Sequence, residues 1–346
     1  MSEHPPRRYP REVLLALGLL LPAALLLALS QGAFSFGLAE SLRALVGPGD
    51  TLQSGQAHTI IQQIRLPRAL LAAAVGAILG CSGAAMQGLF RNPLADPSLI
   101  GVTAGASLGA SLAIVMGSGA LAGYLGFTTL SLGAFLGGLL TVTLVYRLSQ
   151  TATGTSVATM LLAGIAVTAL AGSLGSLLEY YADSDMLKRI SLWRMGGLDG
   201  ANFQRAALAC AVGVVVLAAL PRYAPALNAL LLGESEARHL GIDVDRVKWS
   251  LILLVAVGVG ASVALAGTIA FVGLVVPHIL RMLMGPDHRA LLPASALGGA
   301  ALMLLADTLA RIAVAPAELP VGIVTSIIGV PFFVSLLRRR HQYGMQ

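Results

Sequence analysis

Long apolar runs with almost no charge inside them decide what this chain can become. Ten such runs divide it, at 13–29, 68–90, 99–116, 125–146, 157–178, 203–220, 249–265, 269–284, 291–312 and 321–337. A helix that crosses the hydrocarbon core of a bilayer needs about 20 mostly apolar residues. The runs do not alternate with a period of two, which excludes the strands of a membrane barrel. The third and eighth are short or interrupted by glycine and are the least regular. Charged residues are only 11% of the chain, hydrophobic residues 56%, and the mean hydropathy is +0.83. Soluble domains carry about 25% charged residues, so this chain could not cover a water-facing surface. The expectation is an all-α polytopic membrane protein with ten transmembrane helices. A soluble enzyme and a disordered chain are both excluded.

Ten spans return the chain to the side on which it starts. Arg7, Arg8 and Arg11 precede the first span, and Arg338, Arg339 and Arg340 follow the last. Basic flanks favour the cytoplasm. The expected layout is a cytoplasmic tail at 1–12, one transmembrane domain at 13–337 and a cytoplasmic tail at 338–346, with the longest cytoplasmic loop at about 221–247. The first run, behind its arginines, also has the look of a signal peptide. A retained span is the preferred reading, because the rest of the chain inserts in any case. This orientation leaves Arg65, Arg68 and Arg311 on the outer side, where they need a reason to be.

Gly101, Gly105 and Gly109 are spaced by four, as are Gly76 with Gly80 and Gly133 with Gly137. Small residues at that spacing let helices approach closely. Cys81 and Cys210 lie within apolar runs and read as packing residues. The second run opens near Arg68 and the seventh near Lys248, each heading a four-span block, which is a faint sign of duplication. No glycine-rich phosphate loop precedes either of the two lysines, Lys188 and Lys248, so ATP binding by such a loop is excluded. Zinc spacings and nucleophile-elbow motifs are missing too. The six histidines are scattered, no metal site is expected, and the basic excess reports topology rather than nucleic-acid binding. Asp307 and Arg311, four apart, are placed to pair along one helix face. A single candidate acid is little for an ion-coupled carrier, which remains the remote alternative. The chain reads as a pore without its own motor.

The motor would attach at 233–246, GESEARHLGIDVDR, where Glu234 to Leu240 has the composition of a short amphipathic helix ended by Gly241. Here the sequence resembles the permeases of ABC importers for iron complexes, heme and cobalamin, the FecCD type. G-E-x-x-A-x-x-L-G is similar to their ATPase-coupling loop. Longer strings at 63–109 (QIRLPRALLAAAVGAILGCSGAAMQGLF onward), 161–172, 263–293 and 305–337 carry the likeness along nearly the whole chain. The resemblance implies a type II importer permease fold, a homodimer around one pathway, two cytoplasmic ATPase subunits and a periplasmic substrate-binding protein. It implies a multi-pass protein of the bacterial inner membrane. ATP and Mg would be bound by the partner ATPase, and this chain would hold no cofactor of its own.

The resemblance also distributes roles. Arg65, Arg68 and Arg311 would dock acidic residues of the binding protein, since guanidinium forks pair bidentately with carboxylates. Helix capping, lipid head groups and, for Arg311, pairing with Asp307 are the competing readings. Gly233, Glu234, Ser235, Ala237, Leu240 and Gly241 would fit a groove on the ATPase, with Ala237 and Gly241 allowing close approach and Glu234 meeting a basic residue there. RNPLADP at 91–97 reads as a rigid turn. Thr155 and Ser156, at the start of the fifth span, fall where the family has its cytoplasmic gate. Tyr180, Tyr181, Met186, Trp193 and Met195 fall in a stretch most like that of the heme-import members. They offer a flat, soft surface to a porphyrin, or else form an interfacial aromatic belt. Heme is the expected cargo, with ferric siderophore and cobalamin as alternatives.

Overall fold

A computed structural model describes residues 10–32, 34–47, 52–117, 122–151 and 154–342. The tail arginines Arg7 and Arg8, and positions 343–346 of the expected C-terminal tail, lie outside the described residues. The described chain is helical almost throughout. Seven helical segments are long and apolar enough to cross a membrane: Pro10–Ser30, Ser54–Leu89, Thr129–Leu148, Val157–Tyr181, Phe203–Leu232, Val244–Ala266 and His288–Ile312. Three shorter apolar helices, Val102–Met116, Val272–Met284 and Val321–Ser335, coincide with the third, eighth and tenth runs.

The elements are α1 (Pro10–Ser30), α2 (Leu38–Val46) and α3 (Leu52–Thr59), then a π-helical turn Ile60–Arg65 leading without a break into α4 (Leu66–Leu89). A 3₁₀ turn Pro97–Ile100 precedes α5 (Val102–Met116), and α6 (Ala122–Leu148) follows. A two-residue hairpin, β1 (Gln150–Thr151) against β2 (Gly154–Thr155), joins α6 to α7 (Val157–Tyr181). After α8 (Ser184–Arg194) and α9 (Phe203–Ala219), a turn at Leu220–Tyr223 leads to α10 (Ala224–Leu232) and α11 (Glu234–His239). The chain closes with α12 (Val244–Ala266), α13 (Val272–Met284), α14 (His288–Ile312) and α15 (Val321–Gln342). The last helix therefore runs through Arg338, Arg339 and Arg340, inside the segment expected to be tail. The rigid turn expected at 91–97 is present, with Asp96 capping Ser98 N–H at 2.8 Å.

α4 is the hub. It packs on α14, α9, α13 and α12, and nearly all of it is buried. Its glycines make this possible. A Cβ at Gly80 would overlap the Ser295 carbonyl on α14, and one at Gly83 the Gly273 carbonyl on α13. The same device joins α5 to α6, where Gly105 and Gly109 face Gly137 and Gly133. Small residues at four-residue spacing thus do what their spacing promised, and the gain is backbone-to-backbone dispersion contact. Cys81 is fully buried and Cys210 half-buried; both are free thiols. By contrast α6 and α7 are mostly exposed in the single chain. Between spans, Asn228 Nδ2 donates to Asp287 Oδ1 at 2.6 Å and clasps α10 to α14. The Arg289 amide and then Asn228 hold the Asp287 carboxyl below the usual carboxylate range.

Candidate functional site

The chemistry-bearing side chains gather at the two ends of the bundle. At one end, Gly233 (φ +130°) breaks the chain between α10 and α11, a backbone state that favours glycine. α11 follows at once and stops at His239, with Leu240 as its cap and Gly241 at φ +82°. The expected short helix is there, ended by the expected glycine. Leu240 and Gly241 are exposed, with open space around Gly241, and Ser235 is exposed beside them. Ala237 differs from expectation. It is fully buried and packs into this chain's own core, so its small size serves the intramolecular contact.

Glu234 also finds its base within the chain. Lys248, on the second turn of α12, is 1% exposed and lies 2.7 Å from Glu234 Oε1 and 2.8 Å from Oε2. The same ammonium donates to the Thr155 carbonyl at 2.6 Å. One turn earlier on α12, Asp245 accepts the Thr155 N–H at 3.0 Å and pairs with Arg238 of α11 at 2.9 Å. Thr155 is itself buried. Tyr146 of α6 stacks on Trp249, with centroids 4.5 Å apart, and its hydroxyl is 3.5 Å from Thr155 Oγ1. Ser156 caps α7, accepting the Thr159 N–H at 3.3 Å. Thr155 is thus linked to α11 through α12, and Ser156 to its own helix. Sequence reasoning passed over Lys248, Asp245 and Arg238. The available signal was that Lys248 is one of two lysines and stands at the edge of an apolar run.

At the opposite end, Arg65, Arg68 and Arg311 come together, but in the interior: they are 5%, 7% and 6% exposed. Arg68 pairs with Asp307 at 2.9 Å and with Glu318 at 2.7 Å. Arg311 reaches Asp307 at 3.2 Å, four residues back, and donates to the Ala28 and Gln31 carbonyls at the end of α1. Arg65 donates to the carbonyls of Leu29, Ser30 and Phe34, and its guanidinium lies over the Phe36 ring. The three arginines are turned inward and not free at the outer surface, for a physical reason. The helical run that holds Arg65 and Arg68 begins at Leu52, so both lie within it and not at its mouth. Three cations and two acids, Asp307 and Glu318, therefore lock the ends of α1, α4 and α14 together. Glu318 is the member with a large exposed share, 43% of its side chain.

Beside this cluster lies a cavity of about 210 Å³ lined by Arg68, Leu192, Asp199, Glu318 and Pro320. Tyr180 and Tyr181 close α7 at this end, 81% and 75% exposed, with rings edge to face at 5.2 Å. Met195 is exposed, Met186 half-buried, and Trp193 packs against the core. α8 is fixed by Arg194, which bonds Glu179 at 2.5 Å and Ser107 at 3.1 Å. The five aromatic and methionine candidates therefore share one region without forming one continuous surface.

Comparison with known proteins places this geometry. The profile of the FecCD transport family matches residues 20–339. The hemin transport system permease HmuU of Yersinia pestis is 45% identical over 95% of this chain and 96% of its own. The cobalamin import system permease BtuC of Halobacterium salinarum is also 45% identical, over 82% and 74%. Among solved structures, an ABC transporter assigned to the metal-chelate type, in an inward-facing conformation, superposes with a TM-score of 0.83. It is 35% identical over 95% of this chain and 99% of that one.

Proposed function

The chain belongs to the FecCD transport family and is a transmembrane permease of an ABC importer, and on that footing we propose that its cargo is heme. The observation that carries the cargo reading is the agreement of two things. Its likeness to a hemin permease extends over almost the full length of both chains, and the end of α7 presents two exposed tyrosines, with an exposed methionine at the end of α8. Flat aromatic and thioether surfaces suit a porphyrin face. One cobalamin permease is equally identical over a shorter stretch, and others are 42% and 43% identical over 94% of both chains, so they supply the alternative cargo.

In this reading two copies enclose the pathway, with the α11 end in the cytoplasm and both termini on that side of a bacterial inner membrane. Two ATPase subunits seat on the exposed Ser235, Leu240 and Gly241, while Ala237 and Glu234 hold α11 in place from behind. ATP and Mg belong to those subunits, and this chain hydrolyses nothing itself. Thr155 and Ser156 stand at the cytoplasmic gate. The binding protein docks at the tyrosine end. There the buried Arg65, Arg68 and Arg311 shape the rim, and exposed Lys188 and Arg189 on α8 meet the partner's acids. Such rim charges act mainly on association rate.

The experiment is competition in proteoliposomes that hold the complete complex with its own binding protein. Heme, a ferric siderophore and cobalamin are offered together, with and without ATP. ATP-dependent heme uptake is expected. Uptake of either rival without heme overturns the cargo reading and leaves the permease assignment standing.

A further inference from the structure

Lys248 is a charged side chain kept almost wholly out of water, and that is costly unless its partners are in place. An ammonium has three donors. Here they reach the two oxygens of one carboxylate and one backbone carbonyl, and these lie on different elements: Glu234 opens α11, and Thr155 ends the hairpin that leads into α7. Asp245, three residues earlier and on the same face of α12, repeats the pattern with opposite charge. Its carboxylate takes the Thr155 N–H and the Arg238 guanidinium. Both polar groups of the Thr155 backbone are thus held by α12 side chains whose other hand grips α11. A salt link that served only to anchor α11 would leave Thr155 out, and one that served only the hairpin would leave Glu234 and Arg238 out.

We propose that Lys248 and Asp245 are positioning residues for transport, a double tether that makes α11 and the first turn of α7 move as one unit with the start of α12. Displacement of α11 by the ATPase then reaches the backbone at Thr155, and through the Ser156 cap the helix that runs to Tyr180 and Tyr181. The inference rests on the proposed coupling role of α11 and the proposed gate at Thr155 and Ser156. It adds the residues that join the two. α12 suits the task because most of its length is buried in the bundle, so it is a firm crosspiece, while α7 keeps most of its surface free of this chain and can shift.

The test uses the full complex in nanodiscs. In a Cys81→Ala, Cys210→Ala background, Ala158→Cys, exposed on the first turn of α7, reports its own accessibility to a maleimide, independent of any cargo. Labelling rates are compared without nucleotide and with ATP and vanadate. In the otherwise unaltered complex the rate changes between the two states. With Lys248→Met, ATP hydrolysis stays close to the parent value while the nucleotide-dependent change in labelling shrinks about tenfold, a usual size for lost coupling between sites. Glu234→Gln adds little on top of Lys248→Met, because the two share one link. Asp245→Asn adds its own loss. Should Lys248→Met fail to assemble, Asp245→Asn carries the test, since that side chain is 37% exposed and folds without a buried orphan charge.

A labelling change that survives both Lys248→Met and Asp245→Asn overturns the tether alone. Loss of hydrolysis in step with loss of folded complex in both variants also overturns it, in favour of a purely structural pair. Absence of any nucleotide-dependent change in the parent removes the gate reading and this inference with it. Leu240→Glu serves as the separate control on α11. If it leaves ATPase binding intact, the coupling role of α11 falls instead.

Discussion

Asp307 takes charge from two directions, Arg68 on α4 and Arg311 one turn along its own helix, and is itself 1% exposed. Removing one partner of a buried pair costs about 3–5 kcal/mol, because the remaining charge is stranded. Asp307→Ala should therefore lower the melting temperature of the detergent-solubilised protein steeply. Glu318→Ala should cost less than about 1 kcal/mol, since its side chain is 43% exposed and water can replace it. Equal shifts for the two would show that the cluster is open to water. Half of this arrangement was readable in advance: the four-residue spacing of Asp307 and Arg311 announces their pair. The other half was not. Arg68 lies 239 positions from Asp307, and no local pattern marks a contact made only when α4 and α14 pack antiparallel. Lys248 was hidden for the same reason, its partners being on α11 and before α7.

Helices in this protein are told apart by how their glycines are used. On α4, Gly80 faces the Ser295 carbonyl so closely that even a methyl group has no room. Backbone cannot give way as a flexible side chain can, so Gly80→Ala should cost about 1–3 kcal/mol through overpacking. On α7, Gly172 has nothing within 4 Å within the single chain, so Gly172→Ala should leave packing inside the subunit intact and should lower the melting temperature less than Gly80→Ala. The check is thermal unfolding of both variants beside the parent. A tolerated Gly80→Ala would contradict the α4–α14 packing. Spacing by four made the glycine stripes legible, and it correctly named Gly76, Gly80, Gly105, Gly109, Gly133 and Gly137 as close-contact positions. It could not say which stripe met which. Nor could apolar length alone foresee that α4 continues backward through a π turn to Leu52, which is what takes Arg65 and Arg68 indoors.

At the scale of the molecule, the apolar runs set the class of fold, while the exposed faces suit a membrane and the proposed second copy. Two faces differ in kind. α6 exposes Leu132, Leu136, Leu140, Leu144 and Leu148, a pure leucine stripe repeating every four residues. Hydrocarbon chains ask for nothing more. α7 buries only Met160, Gly164, Val167, Ala171 and Gly175 within its own chain. Its open side mixes Leu170, Leu174 and Leu177 with Gly172, Ser173 and Ser176, small and polar groups that suit helix contacts or a wet pathway better than lipid. A two-fold dimer sets the same patch of both copies face to face. In a Cys81→Ala, Cys210→Ala background, single cysteines at Ser173 and Ser176 should therefore join two copies through a short bis-maleimide in native membranes. Cysteines at Leu136 and Leu140 should leave the chain monomeric on the gel. The opposite pattern would move the subunit contact to α6 and turn α7 toward lipid. The tyrosines and the gate candidates at the two ends of α7 would then no longer share a pathway.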